Sequence, residues 1–152
     1  MRIAIGTDHA GYQLKNDIAS ALTAEGYDVK DFGAFSTDPS DYPDIAEIVS
    51  LAVARGEYDR GILVCGSGIG MSIAANKVPG IRAALCWSAE IARLSREHND
   101  ANVLVLAGRF TPFEEALKIS DVWLTTEFSG NERHARRIDK IAEIEQRLDT
   151  GT

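Results

Sequence analysis

A short apolar run that ends in a cysteine and is followed by alternating glycines constrains the fold more than any other part of the sequence. The apolar stretch 62–64 leads into Cys65, and the next five residues, 66–70, read Gly-Ser-Gly-Ile-Gly. Such a run is typical of a buried strand, and the glycines allow the backbone to turn tightly and approach a ligand closely. A helical pattern follows over residues 71–77. The segment therefore predicts a strand, a glycine loop and a helix N-terminus whose free N–H groups bind an anion.

Strand-like and helix-like segments alternate along the whole chain. The predicted strands are residues 2–7, 27–32, 61–65, 81–86 and 103–107. The predicted helices are residues 14–26, 45–53, 71–77, 88–98, 112–124 and 132–148, the last one long and amphipathic. This order predicts an α/β fold, a Rossmann-like three-layer sandwich with a five-stranded parallel sheet and an extended C-terminal helix. No linker or repeat interrupts it, so we expect residues 1–152 to form one domain.

Composition and charge argue against several classes of function. The net charge of −7 argues against general binding to nucleic acid or anionic membranes. The sequence contains no apolar run of about 18 residues, so no membrane span is expected. The N-terminus leads directly into a strand without a signal-peptide layout, and the two cysteines lack metal-ligand spacing. These features predict a cytoplasmic protein that uses no metal or other cofactor.

Candidate catalytic residues follow the predicted strands, where ligands of open parallel sheets bind. Asp8 and His9 follow the first strand, and Cys65 ends the third. Ser67 lies two residues later and can donate to a thiolate or to a substrate hydroxyl, and Arg109 follows the fifth strand. Two plainer interpretations remain open, because an aspartate here also caps a helix and a cysteine closing an apolar strand is often a packing residue.

A basic cluster marks the start of the predicted last helix, where the sequence reads Arg133, His134, Arg136 and Arg137. Cations at a helix N-terminus oppose the helix dipole, and a bound anion relieves this cost. Arg133 and Arg137 are four residues apart and share one helix face, so together they can hold a phosphate. A solvated charged face is the alternative, and contact of His134 or Arg136 with the phosphate stays open.

The glycine loop alone leaves several function classes open. Its G-x-G-x-G spacing, with no acidic residue after the next strand, argues against a dinucleotide fingerprint. A phosphate- or nucleotide-binding module would use the same loop. A redox-sensing thiol protein would use Cys65 and Cys86, which we expect at neighbouring strand ends. Cys86, Trp87, Trp123 and Tyr58 otherwise have the character of packing residues.

The chain as a whole resembles the type B ribose-5-phosphate isomerase family, whose superfamily includes galactose-6-phosphate and allose-6-phosphate isomerases. The resemblance covers Arg2 to about Leu148. Its motifs are specific as a set, because they occur in this order in so short a chain. They are Asp8-His9-Ala10-Gly11, residues 65–72, residues 73–77, residues 95–100 and Arg133-His134.

The resemblance implies an aldose–ketose isomerase of carbohydrate metabolism that interconverts ribose 5-phosphate and ribulose 5-phosphate in the pentose phosphate pathway. It implies a metal-independent enediolate mechanism in which Cys65 is the general base and Ser67 assists the proton relay. Asp8 and His98 would open the sugar ring, and N–H groups of residues 66–70 would bind the enediolate oxygen. The implied substrate- and phosphate-binding residues are His9, Tyr42, Gly66, Gly68, Ile69, Gly70, Asn99, Arg109, Arg133 and Arg137.

The resemblance also implies assembly. The family forms homodimers whose C-terminal helices reach across the interface, and some members pair into tetramers. His98, Asn99 and Arg109 would come from the partner of the subunit that supplies Cys65, although on the residues alone His98 equally suits the negative end of a helix. The sugar stays open, because a hexose 6-phosphate or a tetrulose 4-phosphate would need only a reshaped pocket.

Overall fold

The computed structural model describes residues 1–150, without the side chain of Thr150. A five-stranded parallel sheet with strand order β2-β1-β3-β5-β4 forms the centre of the fold. The strands are β1 (Arg2–Thr7), β2 (Asp28–Asp31), β3 (Arg60–Cys65), β4 (Ala83–Leu85) and β5 (Val103–Ala107). The α-helices are α1 (Tyr12–Ala24), α2 (Tyr42–Ala54), α3 (Ile69–Ala75), α4 (Ala89–Asn99), α5 (Phe113–Thr125) and α6 (Glu132–Thr150).

Two apolar clusters cover the two faces of the sheet, because successive residues of a strand point to opposite faces. Ile5 and Leu104 belong to the cluster that includes side chains of α1, α4 and α5. Leu63 and Val105 belong to the cluster that includes side chains of α2 and α3, as does Cys65. The predicted three-layer α/β sandwich is therefore confirmed, and Cys65 faces the layer formed by α2 and α3.

Three details differ from the sequence-based expectations. β4 is shorter than predicted, because the N–H of Ile81 bonds to Val78 in a turn and that of Arg82 bonds to the Asn102 side chain. α3 begins at Ile69 rather than at residue 71. Trp87 is 65% exposed and lies beyond the end of β4, so its interpretation as a packing residue was wrong.

The strand order also corrects the expected relation between the two cysteines. β5 lies between β3 and β4, so Cys65 and Cys86 are not at neighbouring strand ends. Both thiols are buried and free. A disulfide between them would have to cross an intervening strand, and this weakens the redox-sensor interpretation.

All five strands run in the same direction, so their carboxyl ends lie at one edge of the sheet. Helices that connect parallel strands run in the opposite direction, and their C-termini lie at the amino edge. Residues that follow strands therefore lie at the carboxyl edge of the sheet, and residues that end helices lie at its amino edge. Among residues 1–150, no helix combines the length and the apolar character that crossing a bilayer requires.

Candidate active site

The glycine loop between β3 and α3 is covered by two polar side chains. Gly66 lies against Arg109, because a Cβ built at this glycine would be 3.3 Å from the guanidinium Nη1. Gly70 lies against Tyr42, because a Cβ there would be 2.7 Å from the ring carbon Cζ. Gly68 has a φ of 78°, in the left-handed region that favours glycine. Glycines at residues 66 and 70 thus allow two side chains to approach the backbone closely, and Gly68 allows the left-handed conformation between them.

Cys65 lies at the base of this loop and is only 4% exposed. Burial raises the pKa of the Cys65 thiol, and the negative charge of Asp8 raises it further. The backbone N–H groups of Met71, Gly68 and Gly70 bond to the sulfur and lower the pKa, but less than burial raises it. The net pKa lies above the ordinary value, so the thiol is protonated at neutral pH in the free protein.

Three of the backbone N–H groups in residues 66–70 already have partners within the chain. Those of Gly68 and Gly70 face the Cys65 sulfur, and that of Ile69 donates to Ser67 Oγ at 3.3 Å. If residues 66–70 bind an enediolate oxygen through their N–H groups, as predicted, that oxygen and the Cys65 sulfur must share these donors. Ser67 accepts through its oxygen, so its hydroxyl proton is free to point toward a ligand.

Asp8 and His9 directly follow the carboxyl end of β1. One carboxylate oxygen of Asp8, Oδ1, accepts from the N–H groups of Ala10 at 3.0 Å and Gly11 at 3.3 Å. The capping interpretation of Asp8 is therefore correct, and it leaves the second oxygen without a recorded partner among residues 1–150. His9 Nδ1 accepts from the backbone N–H of Ser40 at 3.1 Å.

We call the residues at this edge the carboxyl-edge group. Asp8 lies close enough to affect the Cys65 thiol, and Arg109 and Tyr42 flank the loop that follows Cys65. A cation, an imidazole, a carboxylate and a thiol thus lie around one helix N-terminus, a suitable arrangement for proton transfer beside an anion. The group consists of Asp8, His9, Tyr42, Cys65, Gly66, Ser67, Gly68, Ile69, Gly70 and Arg109.

A second set of predicted site residues lies where α4 ends and α6 begins. The His98 and His134 rings are stacked with centroids 4.3 Å apart and an interplanar angle of 19°. His134 is buried. Loss of hydration lowers the pKa of His134, and the nearby charges of His98, Arg133 and Arg137 lower it further. Both arginines thus lie close to the histidine pair.

This second set lies at the amino edge of the sheet. The carbonyl of Asn99 accepts from Arg82 Nε at 3.0 Å, and Arg82 directly precedes β4. We call the second set the amino-edge group. It consists of His98, Asn99, Arg133, His134 and Arg137.

The two groups are separated by the length of the strands. In the pairing of β3 with β5, Gly61 lies opposite Val103 at one end and Cys65 lies opposite Ala107 at the other. Four residue steps at about 3.3 Å each correspond to roughly 13 Å along the strands alone. A sugar bound to one chain would have to span the sheet to contact both groups.

The structure therefore divides the predicted site residues differently from the expectation. His98 and Asn99 are remote from Cys65 of their own chain. Arg109, which was expected to act in the partner's site, lies on the glycine loop of its own chain because it follows β5 at the carboxyl edge. Arg133 and Arg137 accompany His98 instead, because the start of α6 packs on the end of α4.

Two contributors to the site, Ser40 and the backbone N–H of Met71, were not predicted from the sequence. Ser40 lies in a polar loop whose composition gives no sign of a contact with His9. The Met71 N–H could have been anticipated from the prediction of a helix N-terminus at the loop. Within residues 1–150, no group of three or more His, Cys, Asp or Glu side chains is arranged to hold a metal ion.

Comparison with known proteins places these features in a family. A model of the family described as Ribose/Galactose Isomerase matches residues 3–141. Ribose-5-phosphate isomerase B of Escherichia coli (strain K12) is 49% identical over 146 residues, which cover 96% of this chain and 97% of that protein.

Solved structures agree with this assignment. The structure of ribose-5-phosphate isomerase B from Clostridium thermocellum matches with a TM-score of 0.96 and 55% identity, covering 97% of this chain and 99% of that one. The enzyme from Mycoplasma genitalium, solved with bound ribulose-5-phosphate, matches with a TM-score of 0.91 and 44% identity. That match covers 95% of this chain and 96% of the other.

Proposed function

Because the chain belongs to the ribose/galactose isomerase family, we propose that it interconverts ribose 5-phosphate and ribulose 5-phosphate. It is an aldose–ketose isomerase. The observation that carries the assignment of chemistry is the buried Cys65 thiol, which faces three backbone N–H groups beside Asp8 and His9. The type B ribose-5-phosphate isomerases to which the chain is similar support the substrate.

The proton transfer is assigned to Cys65. As a thiolate it removes the proton from C2 of the open-chain aldose and returns it to C1. Negative charge develops on the carbonyl oxygen in the enediolate, beside the N-terminus of α3, whose N–H groups stabilise it. The same N–H groups stabilise the thiolate, so the negative charge stays near one set of donors while the proton moves. Ser67 relays the second proton, which leaves the C2 hydroxyl and is delivered to the C1 oxygen, so that the C2 carbonyl of the ketose forms.

Ring opening and binding are assigned to the polar residues around the loop. The Asp8 oxygen that does not cap the helix and the imidazole of His98 act in ring opening. They transfer a proton to the ring oxygen and remove one from the C1 hydroxyl. Asn99 and Tyr42 orient the sugar. His9 and Arg109 hold the phosphate from the carboxyl edge, and Arg133 and Arg137 complete its binding from the amino-edge group.

We propose that a second copy of the chain brings the two groups together in a homodimer. The separation of His98 from Cys65 within one chain supports this arrangement. An apolar groove of about 780 Å³ between α6 and the start of β4 is lined by Ile81, Ile141 and Ile144. It offers a surface for assembly, including pairing into tetramers. A cytoplasmic location is part of this proposal, and the phosphorylated substrate supports it.

A substrate panel tests the proposed activity. Ribose 5-phosphate should give the highest kcat/KM among C4, C5 and C6 sugar phosphates. A higher kcat/KM with allose 6-phosphate, galactose 6-phosphate or a tetrulose 4-phosphate would move the chain to another sugar within the same chemistry. Turnover of none of them, combined with calorimetric binding of AMP or ATP, would instead indicate a non-catalytic phosphate- or nucleotide-binding module.

A further inference from the structure

Ser40 contacts His9 through two reciprocal hydrogen bonds. The backbone N–H of Ser40 donates to His9 Nδ1, and the backbone N–H of His9 donates to Ser40 Oγ, both at 3.1 Å. We propose that Ser40 is a positioning residue that holds His9 in the tautomer with its proton on Nε2, so that His9 donates a hydrogen bond to the substrate. This inference rests on the proposed function for the identity of the ligand, but the tautomer itself is a property of the free protein.

The direction of the ring bond determines the tautomer. A backbone N–H can only donate, so Nδ1 of His9 must present a lone pair. A neutral imidazole carries its proton on the other nitrogen, which makes Nε2 the donor. Within residues 1–150 the structure records no protein partner for Nε2. The donor is therefore available to an acceptor-rich ligand such as a phosphate dianion.

The loop that carries Ser40 is attached to the end of β1 at two places. At its start, Gly33 O accepts from the N–H of Thr7 at 2.6 Å, and the N–H of Ala34 donates to Thr7 O at 2.7 Å. At its end, Ser40 holds His9, two residues after Thr7. Because both attachments are made to the same stretch of backbone, the position of the Ser40 N–H relative to the imidazole is fixed.

The start of the loop is also held by an ion pair whose lysine is buried. Lys15 Nζ lies 2.6 Å from Asp31 Oδ2, and the other oxygen of Asp31 accepts from the N–H of Gly33 at 2.8 Å. Lys15 is only 1% exposed. The loop is thus held by contacts that do not involve the substrate, as preorganisation of a binding group requires.

The serine hydroxyl is the part of this device that mutation can remove. Ser40→Ala keeps the backbone N–H that bonds to His9 Nδ1 but deletes the acceptor for the His9 N–H, so this end of the loop is held by one hydrogen bond instead of two, while Ser40→Thr keeps an oxygen at the same place. Ser36→Ala is a matched control, because Ser36 Oγ accepts a local hydrogen bond from Asp38 in the same loop without contacting His9.

Nitrogen NMR of the imidazole rings tests the tautomer directly. The chain has 3 histidines, so loss of one signal set in His9→Gln assigns His9. We expect the free wild type to carry the His9 proton on Nε2 and Ser40→Ala to show a mixture of tautomers. We expect Ser40→Thr and Ser36→Ala to match the wild type. A His9 proton on Nδ1 in the wild type would overturn the proposal.

Steady-state kinetics test the consequence. Ser40→Ala should raise KM for ribose 5-phosphate by about three- to tenfold with little change in kcat, since one binding hydrogen bond is weakened. In a His9→Gln background the same change should have no further effect on KM, because Ser40 acts through His9. An equal rise in both backgrounds would show a merely structural role and overturn the proposal. Calorimetry gives the same comparison through the affinity for ribose 5-phosphate and needs no turnover. Failure of the proposed isomerase activity can therefore be distinguished from failure of the proposed role of Ser40.

Discussion

At Cys65, burial and hydrogen bonding act on the thiol in opposite directions. Burial raises its pKa, whereas three backbone N–H groups at the start of α3 lower it. Cys86 is a useful contrast in the same chain, because burial raises its pKa to about 11 and only Ser95 opposes this shift. Of the two buried thiols, Cys65 is therefore the one whose thiolate has preformed donors, and this difference supports its role as the base.

Removal of the thiol should abolish turnover but not binding. Cys65→Ala should lower kcat by about 10²–10⁴-fold or more, because a positioned base is lost, and leave the affinity for ribose 5-phosphate within a few fold. Isomerisation assays measure kcat, and calorimetry measures the affinity for ribose 5-phosphate. Cys86→Ala removes the other buried thiol and should keep kcat close to that of the wild type. Near-normal turnover of Cys65→Ala would contradict the assignment.

The raised pKa of Cys65 predicts the pH dependence of catalysis. The base must be deprotonated, so kcat/KM should rise with pH. The rise should continue beyond pH 9.0, the ordinary pKa of a thiol, because the pKa of Cys65 lies above that value. A profile of kcat/KM between pH 6 and pH 10 measures this, with circular dichroism to confirm folding at each pH. A plateau already reached below neutral pH would show that another group is the base.

At the scale of single elements, most boundaries followed from apolar periodicity, and the exceptions have physical causes. β1 and β5 have the predicted bounds, because each is built around an apolar run, residues 3–5 in β1 and residues 103–107 in β5. β4 was overestimated, because the Asn102 side chain accepts from the N–H of Arg82, a predicted strand residue, and no sequence pattern reports such a contact. Trp87 was misjudged because an aromatic residue beyond a strand end has no face of the sheet to cover it.

The first turn of α6 is the element to test for phosphate binding. Arg137→Ala should raise KM for ribose 5-phosphate, by loss of a charge-assisted contact of about 1.5–3 kcal/mol. Arg136→Ala is the matched control, because it removes the same charge one position away on the opposite side of the helix from His134. Inorganic phosphate should raise the Tm of the wild type and of Arg136→Ala more than that of Arg137→Ala. Equal responses of all three would place the phosphate elsewhere.

The ion pair between α1 and β2 should respond asymmetrically to mutation. Asp31→Asn should lower the free energy of unfolding by about 3 kcal/mol, because it leaves the fully buried charge of Lys15 without its carboxylate. Lys15→Met should cost less, since the Asp31 side chain is 33% exposed and can be hydrated. Denaturant unfolding of the three proteins measures both values, and a larger loss for Lys15→Met would contradict this account.

At the scale of the whole molecule, the topology explains why the site residues fall into two groups. Residues that follow strands, such as Cys65 and Arg109, lie at the carboxyl edge, and residues that end helices, such as His98, lie at the amino edge. The predicted strand–helix alternation already placed Arg109 at the same edge as Cys65, and only the family resemblance assigned Arg109 to the partner's site. The docking of α6 on the end of α4, which brings Arg137 beside His98, was not predictable, because it depends on tertiary packing.

In the proposed homodimer, a complete site combines the carboxyl-edge group of one subunit with the amino-edge group of the other. Two inactive variants can test this, each damaged in a different group. Cys65→Ala breaks the first group, and the double variant Arg133→Ala/Arg137→Ala breaks the second. Arg109→Ala provides the control, because Arg109 belongs to the same group as Cys65.

The most direct measurement is the isomerase activity of mixed dimers, purified after coexpression with two different affinity tags. A purified mixed dimer of the Cys65→Ala chain and the Arg133→Ala/Arg137→Ala chain should recover about half of wild-type activity, because each such dimer carries one intact site out of two. The mixed dimer of the Cys65→Ala chain and the Arg109→Ala chain should have no more activity than the average of the two parent homodimers. Absence of recovery in the first pair, or recovery in the second pair instead, would contradict the account.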